Sequence, residues 1–300
     1  WASASGAPAA RRRRPEPHHF NGLDEPLFCP SLVEVMATPH SRPFALLGRF
    51  LLPAACLLFV AQAHAGLVLH YAFDETSGTT AADSSGSGNT GTLYRGGLTP
   101  WVSGRIGNAL SIDSATRAYV RATGYKGVTG TSAGSLAYWQ KTTSPNDHDY
   151  AVFWGDSSNK MVARTSFSGG GKALLSMGGH NVNQSNSGPD ITDDTWHHVA
   201  YTFPASSPNN LIKVYVDGTL LTGTGGNGVT INTGSSSDVF IGTENGSGSR
   251  YAGLLDDIRM YDHALSASEV SALASMGGPG APEPAETFAF LGLLTAFGLG

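Results

Sequence analysis

The sequence predicts an all-β protein: a two-sheet antiparallel sandwich with one short C-terminal helix. Short segments of alternating apolar and polar residues recur between residues 67 and 261, separated by Gly, Asn and Ser turn residues. No long amphipathic helical pattern interrupts them. A chain of 300 residues with 39 glycines and 14% charged residues is long enough for one such turn-rich domain with appendages at its ends.

The expected strands start with residues 67–73, which alternate into a loop rich in Asp, Ser, Gly and Asn. Further short strands are expected over residues 109–112, 118–122, 134–141, 150–154, 160–165, 173–177, 197–203, 212–216 and 239–242. Gly- and Asn-containing turns between them favour hairpin connections, which make neighbouring strands antiparallel.

The last strand is expected in the stretch that begins at Gly253. Even spacing puts Leu254, Ile258 and Met260 on one face of this strand, and Arg259 with Tyr261 on the other. The helix should follow at once, because Ser266 stands three residues before Glu269, the spacing of a capping box.

This closing stretch also carries a family resemblance. Residues 253–269 read Gly-Leu-Leu-Asp-Asp-Ile-Arg-Met-Tyr-Asp-His-Ala-Leu-Ser-Ala-Ser-Glu, and further segments agree in the same order at residues 71–78 with 83–86, 107–110, 196–200 and 214–218. Together they resemble the laminin-G-like (concanavalin A-like) jelly rolls. The resemblance covers about residues 67–274 and implies one folded domain over residues 66–275.

Charge and cysteine content narrow the possible functions of this domain. From Gly66 onward there are 12 basic and 19 acidic residues, a net charge of −7, so neither a nucleic-acid partner nor an anionic membrane surface is favoured. Cys29 and Cys56 both precede Gly66, so the domain is expected to have neither a thiol nor a disulfide.

Residues 1–35 are interpreted as an upstream extension of the reading frame that is not native to the protein, since the first methionine is Met36. The alternative is a basic targeting or binding patch at residues 11–14.

Residues 36–65 have the features of a secretory signal peptide. A positively charged start precedes an apolar run, and Ala63 and Ala65 match the small-residue pattern that a signal peptidase cleaves, which predicts a mature start at Gly66. The alternatives are a membrane anchor, for which the apolar run is short, and lipid attachment at Cys56.

The C-terminal end resembles the PEP-CTERM sorting signal. Residues 276–286 form a Gly- and Pro-rich linker containing Pro282, Glu283 and Pro284, and residues 287–300 are uncharged and largely apolar. The resemblance implies an exosortase-type sorting enzyme as a partner, transient anchoring in the inner membrane, and delivery to the outer cell envelope or the extracellular matrix. The basic tail of such signals is missing, and the apolar run is shorter than a span of roughly 20 residues, so we expect a truncated or incomplete signal. The alternative is an apolar tail without a sorting role.

The acidic residues do not predict an enzyme. Retaining glycosidases need two carboxyl groups about 5 to 5.5 Å apart. Asp256 and Asp257 are adjacent, so they are expected on opposite faces of a strand, and the glutamates after Gly66 are widely separated. The domain has no cysteine nucleophile, Gly-x-Ser-x-Gly elbow or phosphate loop.

The family resemblance also raises the question of calcium. In such jelly rolls a structural Ca²⁺ often lies between the end of the first strand and the last strand, which corresponds here to Asp74 and to Asp256 or Asp257. The alternative gives Asp74 a turn-capping role and pairs Asp256 or Asp257 with Arg259 or a backbone amide. Two other groups, His197 with His198 and residues 147–149, are interpreted as packing and turn residues rather than metal ligands.

Carbohydrate binding would need an aromatic platform beside polar donors. The candidates are Trp139, Tyr150, Trp154 and Tyr251, for which the alternative is a place in the core. The sequence therefore predicts an exported, non-catalytic module that binds extracellular polysaccharide or another surface polymer. The alternatives are a structural surface protein without a discrete ligand and a polysaccharide-active enzyme on the same fold.

Overall fold

The structure is a computed structural model that describes residues 66–94, 100–113, 117–144, 146, 149–166, 170–178, 180–182, 188–222, 225–246 and 248–277. Several predictions lie outside these residues and stay predictions. They are the upstream extension, the signal peptide with Ala63 and Ala65, and the sorting motif Pro282, Glu283 and Pro284 with its apolar segment. Within the described part of the chain, no helix has the length and apolar character needed to span a membrane.

Nearly all regular structure in the described residues is β-strand. In chain order the strands are β1 (Leu67–Tyr71), β2 (Thr80–Ala81), β3 (Gly91–Tyr94), β4 (Trp101–Ser103), β5 (Asn108–Ile112), β6 (Tyr119–Ala122), β7 (Gly134–Lys141), β8 (Tyr150–Gly155), β9 (Met161–Ser166), β10 (Lys172–Met177), β11 (His180–Val182), β12 (His197–Phe203), β13 (Lys213–Val216), β14 (Thr219–Leu220), β15 (Ser237–Ile241) and β16 (Gly253–Tyr261). A 3₁₀ turn at Asn209–Leu211 precedes β13, and helix α1 (Ala267–Ala274) follows β16.

The strands form two antiparallel sheets, which confirms the predicted sandwich. The first sheet has the order β14-β13-β12-β7-β16-β5-β4, with β1 also paired to β16. The second sheet has the order β11-β10-β9-β8-β15-β6-β3-β2. Five strands were not predicted: β2, β3, β4, β11 and β14. Four of them have only two or three residues, too few to show a period, and β3 lies in the Gly- and Asn-rich stretch that was expected to be a loop.

The hydrophobic core lies between the two sheets. Alternate residues of the first sheet, such as Leu69, Tyr138 and Ile258, meet alternate residues of the second sheet, such as Trp154 and Ile241. All of these side chains are buried, so the inner faces supply the apolar burial that stabilises the sandwich.

Strand β16 lies at the centre of the first sheet and contains a β-bulge. Its pairing with β7 shifts between Asp256 and Arg259, and Asp257 has a φ of 48°. The core-facing residues Leu255 and Ile258 are consequently three positions apart, so both Asp256 and Asp257 lie between them on the outer face. The expectation that the two carboxylates lie on opposite faces was therefore wrong, as was the placement of Leu254, instead of Leu255, on the core-facing side.

Helix α1 begins where the capping box predicted. The Ser266 side chain accepts a hydrogen bond from the Glu269 amide, and Glu269 Oε2 accepts one from the Ser266 amide at 2.7 Å. Val270 and Leu273 of the helix pack in one cluster with residues on the outer face of the first sheet, among them Tyr215. The helix therefore covers part of this outer face.

Candidate functional site

Asp74 and Asp256 hold the turn between β4 and β5. Asp256 Oδ2 accepts hydrogen bonds from the amides of Arg105 at 2.7 Å and Ile106 at 2.9 Å. Asp74 Oδ1 accepts one from the Asn108 amide at 2.8 Å. Gly107 has a φ of 61°, and a Cβ added there would collide with Asp74 Oδ1. These two carboxylates thus fix the turn by capping its amides.

Asp257 instead forms a buried ion pair. Arg259 donates to both of its carboxylate oxygens, at 3.1 Å and 3.0 Å from Nε and at 2.9 Å from a terminal nitrogen, and His70 Nε2 lies 2.6 Å from Asp257 Oδ1. Only 5% of Asp257 and 7% of Arg259 is exposed. The guanidinium therefore compensates the charge of a nearly buried carboxylate, and the imidazole adds a hydrogen-bond contact.

The two adjacent carboxyl groups have opposite pKa shifts. Burial raises the pKa of Asp256 to about 7, although the Ile106 and Arg105 amides oppose the shift. Burial also acts to raise the pKa of Asp257, but the hydrogen bond from His70 and the charge and hydrogen bonds of Arg259 outweigh it and lower that pKa. Near neutral pH, Asp257 is therefore ionised while Asp256 is partly protonated.

Such a split between two carboxyl groups is also seen in acid–base pairs of glycosidases. Here, however, Asp256 is 0% exposed and lies under the β4–β5 turn that it holds. A polysaccharide could reach it only if that turn moved away. The contacts of this pair favour a role in holding the sandwich together.

These carboxylates are the ones predicted to bind calcium. Ca²⁺ takes six to eight oxygen ligands. The oxygens of Asp257 accept from a guanidinium, while Asp74 and Asp256 accept from backbone amides. The described residues contain no group of three or more His, Cys, Asp or Glu side chains placed to hold a metal ion. The alternative of turn capping and pairing with Arg259 agrees with the geometry, and calcium stays a prediction without support from it.

The two adjacent histidines do not share a site. His197 Nδ1 lies 2.8 Å from Asp217 Oδ2, and its Nε2 lies 3.1 Å from Asp193 Oδ1. The ring of His198 meets Trp139 edge-on, with the ring centroids 5.3 Å apart. These contacts are those of packing and loop positioning. Residues 147–149 were the other group considered for metal binding. Residues 147 and 148 lie outside the described residues, and Asp149 is buried.

The four aromatic residues proposed as a platform are dispersed and buried. Trp154 and Tyr251 are 0% and 1% exposed in the core, and Trp154 Nε1 donates to the Val128 carbonyl at 2.9 Å. Trp139 lies on the outer face of the first sheet beneath the Arg105 guanidinium, 4.7 Å from its carbon to the ring centroid. Only Tyr150 belongs to a larger group of aromatic residues, on the outer face of the second sheet. The geometry thus does not bring these four rings together as one platform.

We call the group that includes Tyr150 the aromatic face. Cross-strand pairing aligns its members across β3, β6, β15, β8 and β9, and they are Tyr94, Tyr119, Phe240, Phe153, Tyr150 and Val162. The rings of Tyr94 and Tyr119 stack with centroids 5.1 Å apart, and Tyr119 continues to Phe240 at 6.2 Å. Phe153 and Phe240 are nearly buried, while Tyr94 and Tyr119 are half-buried. The deeper rings form a floor and the two tyrosines its accessible part.

Basic side chains lie over and beside the aromatic face. The Arg121 guanidinium sits 5.6 Å from the Phe240 ring centroid, and Lys160 Nζ sits 5.9 Å from that of Tyr150. Arg121 and Lys126 both pair with Asp238, at 2.7 Å and 2.6 Å.

Lys160 pairs with Glu244 at 2.7 Å. Alternation along β9 and β10 directs Arg164 and Lys172 outward on the same sheet. There the positive charge of Lys172 attracts the Asp190 carboxylate. Arg121 and Lys126 thus share one carboxylate, that of Asp238, although the domain as a whole is acidic.

Sequence reasoning missed most of the aromatic face. Residues 150–155 are apolar throughout, so no period could show that Phe153 points outward while Trp154 points inward. The alternation in β6 did offer a signal, since Val120 and Ala122 face the core and leave Tyr119 and Arg121 outside. Combining that signal with strand order required a topology that the sequence does not provide.

Comparison with solved structures supports the fold. Domain 4 of AbnA, a GH43 extracellular arabinanase from Geobacillus stearothermophilus, solved in complex with arabinotriose, is 24% identical with a TM-score of 0.55; the match covers 70% of this chain and 98% of that domain. The binding domain of Paraclostridial Mosquitocidal Protein 1 is 16% identical and the botulinum neurotoxin type G receptor-binding domain 14% identical, each with a TM-score of 0.45 and 70% of this chain covered. The match spans about half of these two toxin domains, 52% and 51% respectively.

At 24% identity the likeness to the arabinanase domain extends to the fold alone. No curated protein matches the chain. The family model Laminin_G_3, described as the Concanavalin A-like lectin/glucanases superfamily, matches residues 114–271. That match spans more than half of the sequence, so this chain belongs to the concanavalin A-like lectin/glucanase superfamily.

Proposed function

We propose that this protein is a non-catalytic module that binds an extracellular polysaccharide or another surface polymer across the aromatic face. The observation that carries the proposal is the row of outward-facing rings with Arg121 and Lys160 set over it. Recognition of a polymer of this kind needs apolar ring surface and a few placed polar groups. The arabinotriose complex of the structurally similar arabinanase domain supports a carbohydrate as the ligand class.

The accessible parts of the aromatic face would divide the work of binding. Tyr94 and Tyr119 offer ring surface to the C–H groups of a sugar, while the Arg121 and Lys126 side chains, 42% and 38% exposed, donate hydrogen bonds to its oxygens. Since Arg121 and Lys126 share the single carboxylate of Asp238, polymers that carry acidic groups should bind more tightly than neutral ones.

The location of the protein is part of the same proposal. The signal peptide ending at Ala65 would direct export through a signal peptidase, and the motif around Glu283 would direct sorting by an exosortase-type enzyme. The module would then act at the outer cell envelope or in the extracellular matrix. The burial of Asp256 and Asp257 supports a binding role over the hydrolysis or lyase alternatives.

The test is a polysaccharide array with acidic and neutral polymers, probed with the wild type and with Tyr119→Ala and Arg121→Met. Saturable binding is expected for the wild type, with a loss of about tenfold or more in each variant. Tyr94→Phe keeps a ring in the stack and should bind like the wild type. Lys213→Met changes an exposed lysine on the first sheet and serves as a second control.

Two results would contradict the proposal. Saturable binding that survives both Tyr119→Ala and Arg121→Met would place the ligand elsewhere on the molecule. A folded wild-type protein that binds no polymer in the array would instead favour the structural surface protein without a discrete ligand.

A further inference from the structure

An open cleft of about 560 Å³ lies at the end of the first sheet where β5, β7 and β16 meet. Gly253 pairs with Ile112, and Leu254 pairs with Lys141, so the last residues of two strands and the start of a third form its floor. A Cβ on Gly253 would collide with the Lys141 carbonyl, and its φ of 145° is one that glycine adopts readily. The volume falls within the range of about 300–1,000 Å³ seen for small-molecule sites.

The rim of the cleft is fixed by hydrogen bonds. The Thr142 hydroxyl donates to the Ala252 carbonyl and accepts from the Ser144 amide at 3.0 Å. The Asp194 amide donates to the Thr142 carbonyl at 3.2 Å, which attaches the loop before β12 to the end of β7. These contacts give the cleft a shape that does not depend on a ligand.

The lining combines an apolar patch with hydroxyls and one pair of opposite charges. Leu254 supplies apolar surface, and Ser111, Thr143 and Ser144 supply hydroxyls. Lys141 Nζ and Asp194 Oδ1 are 3.7 Å apart, farther than a hydrogen bond, and the two side chains are 33% and 66% exposed. An ammonium donor beside a carboxylate acceptor matches two adjacent hydroxyls, since one oxygen can accept while the other donates.

The charges in the cleft favour a neutral sugar over an acidic one. Lys141 supplies the ammonium group of the lining, and the Asp194 carboxylate lies beside it, so the cleft offers no uncompensated positive charge. An anionic ligand would lose hydration here without gaining an unpaired cation, in contrast to the aromatic face, where Arg121 and Lys126 share the carboxylate of Asp238.

We propose that this cleft is a second, separate binding site that takes one neutral sugar unit, with adjacent hydroxyls set against Lys141 and Asp194 and one sugar face against Leu254. It lies on the first sheet and uses none of the residues of the aromatic face. A neutral chain end and a free neutral sugar present the same chemistry to it.

The test is calorimetric titration of the full chain with the methyl glycosides of glucose, galactose, mannose, xylose and arabinose, and with methyl glucuronide as the charged counterpart of methyl glucoside. We expect saturable binding of at least one neutral glycoside and weaker binding of the glucuronide. Lys141→Met and Asp194→Asn should each lower the affinity for the neutral glycoside at least tenfold. Asn tolerates the φ of 64° at position 194, so this variant keeps the backbone conformation.

Two controls separate this site from the aromatic face. Lys213→Met, an exposed lysine outside the cleft, should leave glycoside binding unchanged. Arg121→Met should also leave glycoside binding unchanged while it reduces polymer binding, and Lys141→Met should do the reverse. Failure of one site can therefore be told from failure of the other.

Three results would overturn the inference. They are the absence of saturable binding for all five neutral glycosides, tighter binding of the glucuronide than of the glucoside, and neutral-glycoside affinities within twofold of wild type in both cleft variants.

Discussion

The outer faces of the two sheets differ in what lies on them. The first is covered by helix α1 and by the β4–β5 turn, and it contains the buried pair of Asp257 and Arg259. The second carries aromatic rings under exposed basic side chains. The five segments that carry the family resemblance fall largely on strands and turns of the first sheet. The motifs thus record how the sandwich is held together, while the proposed polymer-binding groups lie where no motif marks them.

The largest loss of stability is expected for Arg259→Met, on the outer face of the first sheet. It leaves the buried Asp257 carboxylate without its guanidinium partner, which should lower the free energy of unfolding by about 3–5 kcal/mol. Denaturant unfolding at pH 7 measures the effect, and polymer affinity of the remaining folded protein should not change. A loss below about 1 kcal/mol would mean that the buried carboxylate does not depend on the guanidinium, and would contradict this prediction.

A second test uses pH and Asp256→Asn. The folded-state pKa of Asp256 is raised to about 7 from an unfolded value near 3.9, so protonation of Asp256 favours the folded state. Its contribution to stability is fully present below about pH 3.9 and is lost as the pH rises through about 7. Asn cannot ionise, so the variant does not lose this contribution. As the pH rises from 4 to 7, its free energy of unfolding should increase relative to that of the wild type by at most about 1.4 kcal/mol per pH unit.

Thermal unfolding of both proteins across this range checks the prediction. A constant difference between them from pH 4 to 7 would show that Asp256 ionises normally in the folded state.

A smaller effect is expected for Ser266→Ala, which removes the capping box of helix α1. The free energy of unfolding should fall by about 1 kcal/mol. Ser268→Ala alters a neighbouring exposed serine without removing the cap and should cost less. Protection of the α1 amides against hydrogen exchange reports whether the loss is local. Equal losses in the two variants would argue against the cap as the cause.

The smallest effect on stability is expected on the second sheet. Lys126→Met removes one of the two cations that pair with Asp238, in a side chain that is 38% exposed. Asp238 is buried but keeps its contacts with Arg121 and the Gly124 amide, so urea unfolding should change by about 1 kcal/mol or less, whereas affinity for an acidic polymer should fall. A loss comparable to that of Arg259→Met would erase the distinction between the two faces.

The sequence was sufficient where local chemistry decides the structure. The alternation of β1 and β12 and the Ser266–Glu269 spacing each specified an element without knowledge of its neighbours. The bulge at Asp257 was not foreseeable, because it results from how β16 meets β7 and β1 at once. The cleft was equally hidden, since Lys141, Asp194 and Leu254 are far apart in the chain and meet only through strand order.

The central place of β16 also determines when the sandwich can form. The strand is the last of the domain, yet it pairs with β1, β5 and β7, and Tyr261 lies opposite Leu67 of the first strand. Before β16 has paired, β1, β5 and β7 lack the strand that links them in the first sheet. Proteins dominated by such distant pairings fold in milliseconds to seconds. The central pairings of the first sheet can therefore be completed only after the last strand of the domain has been made.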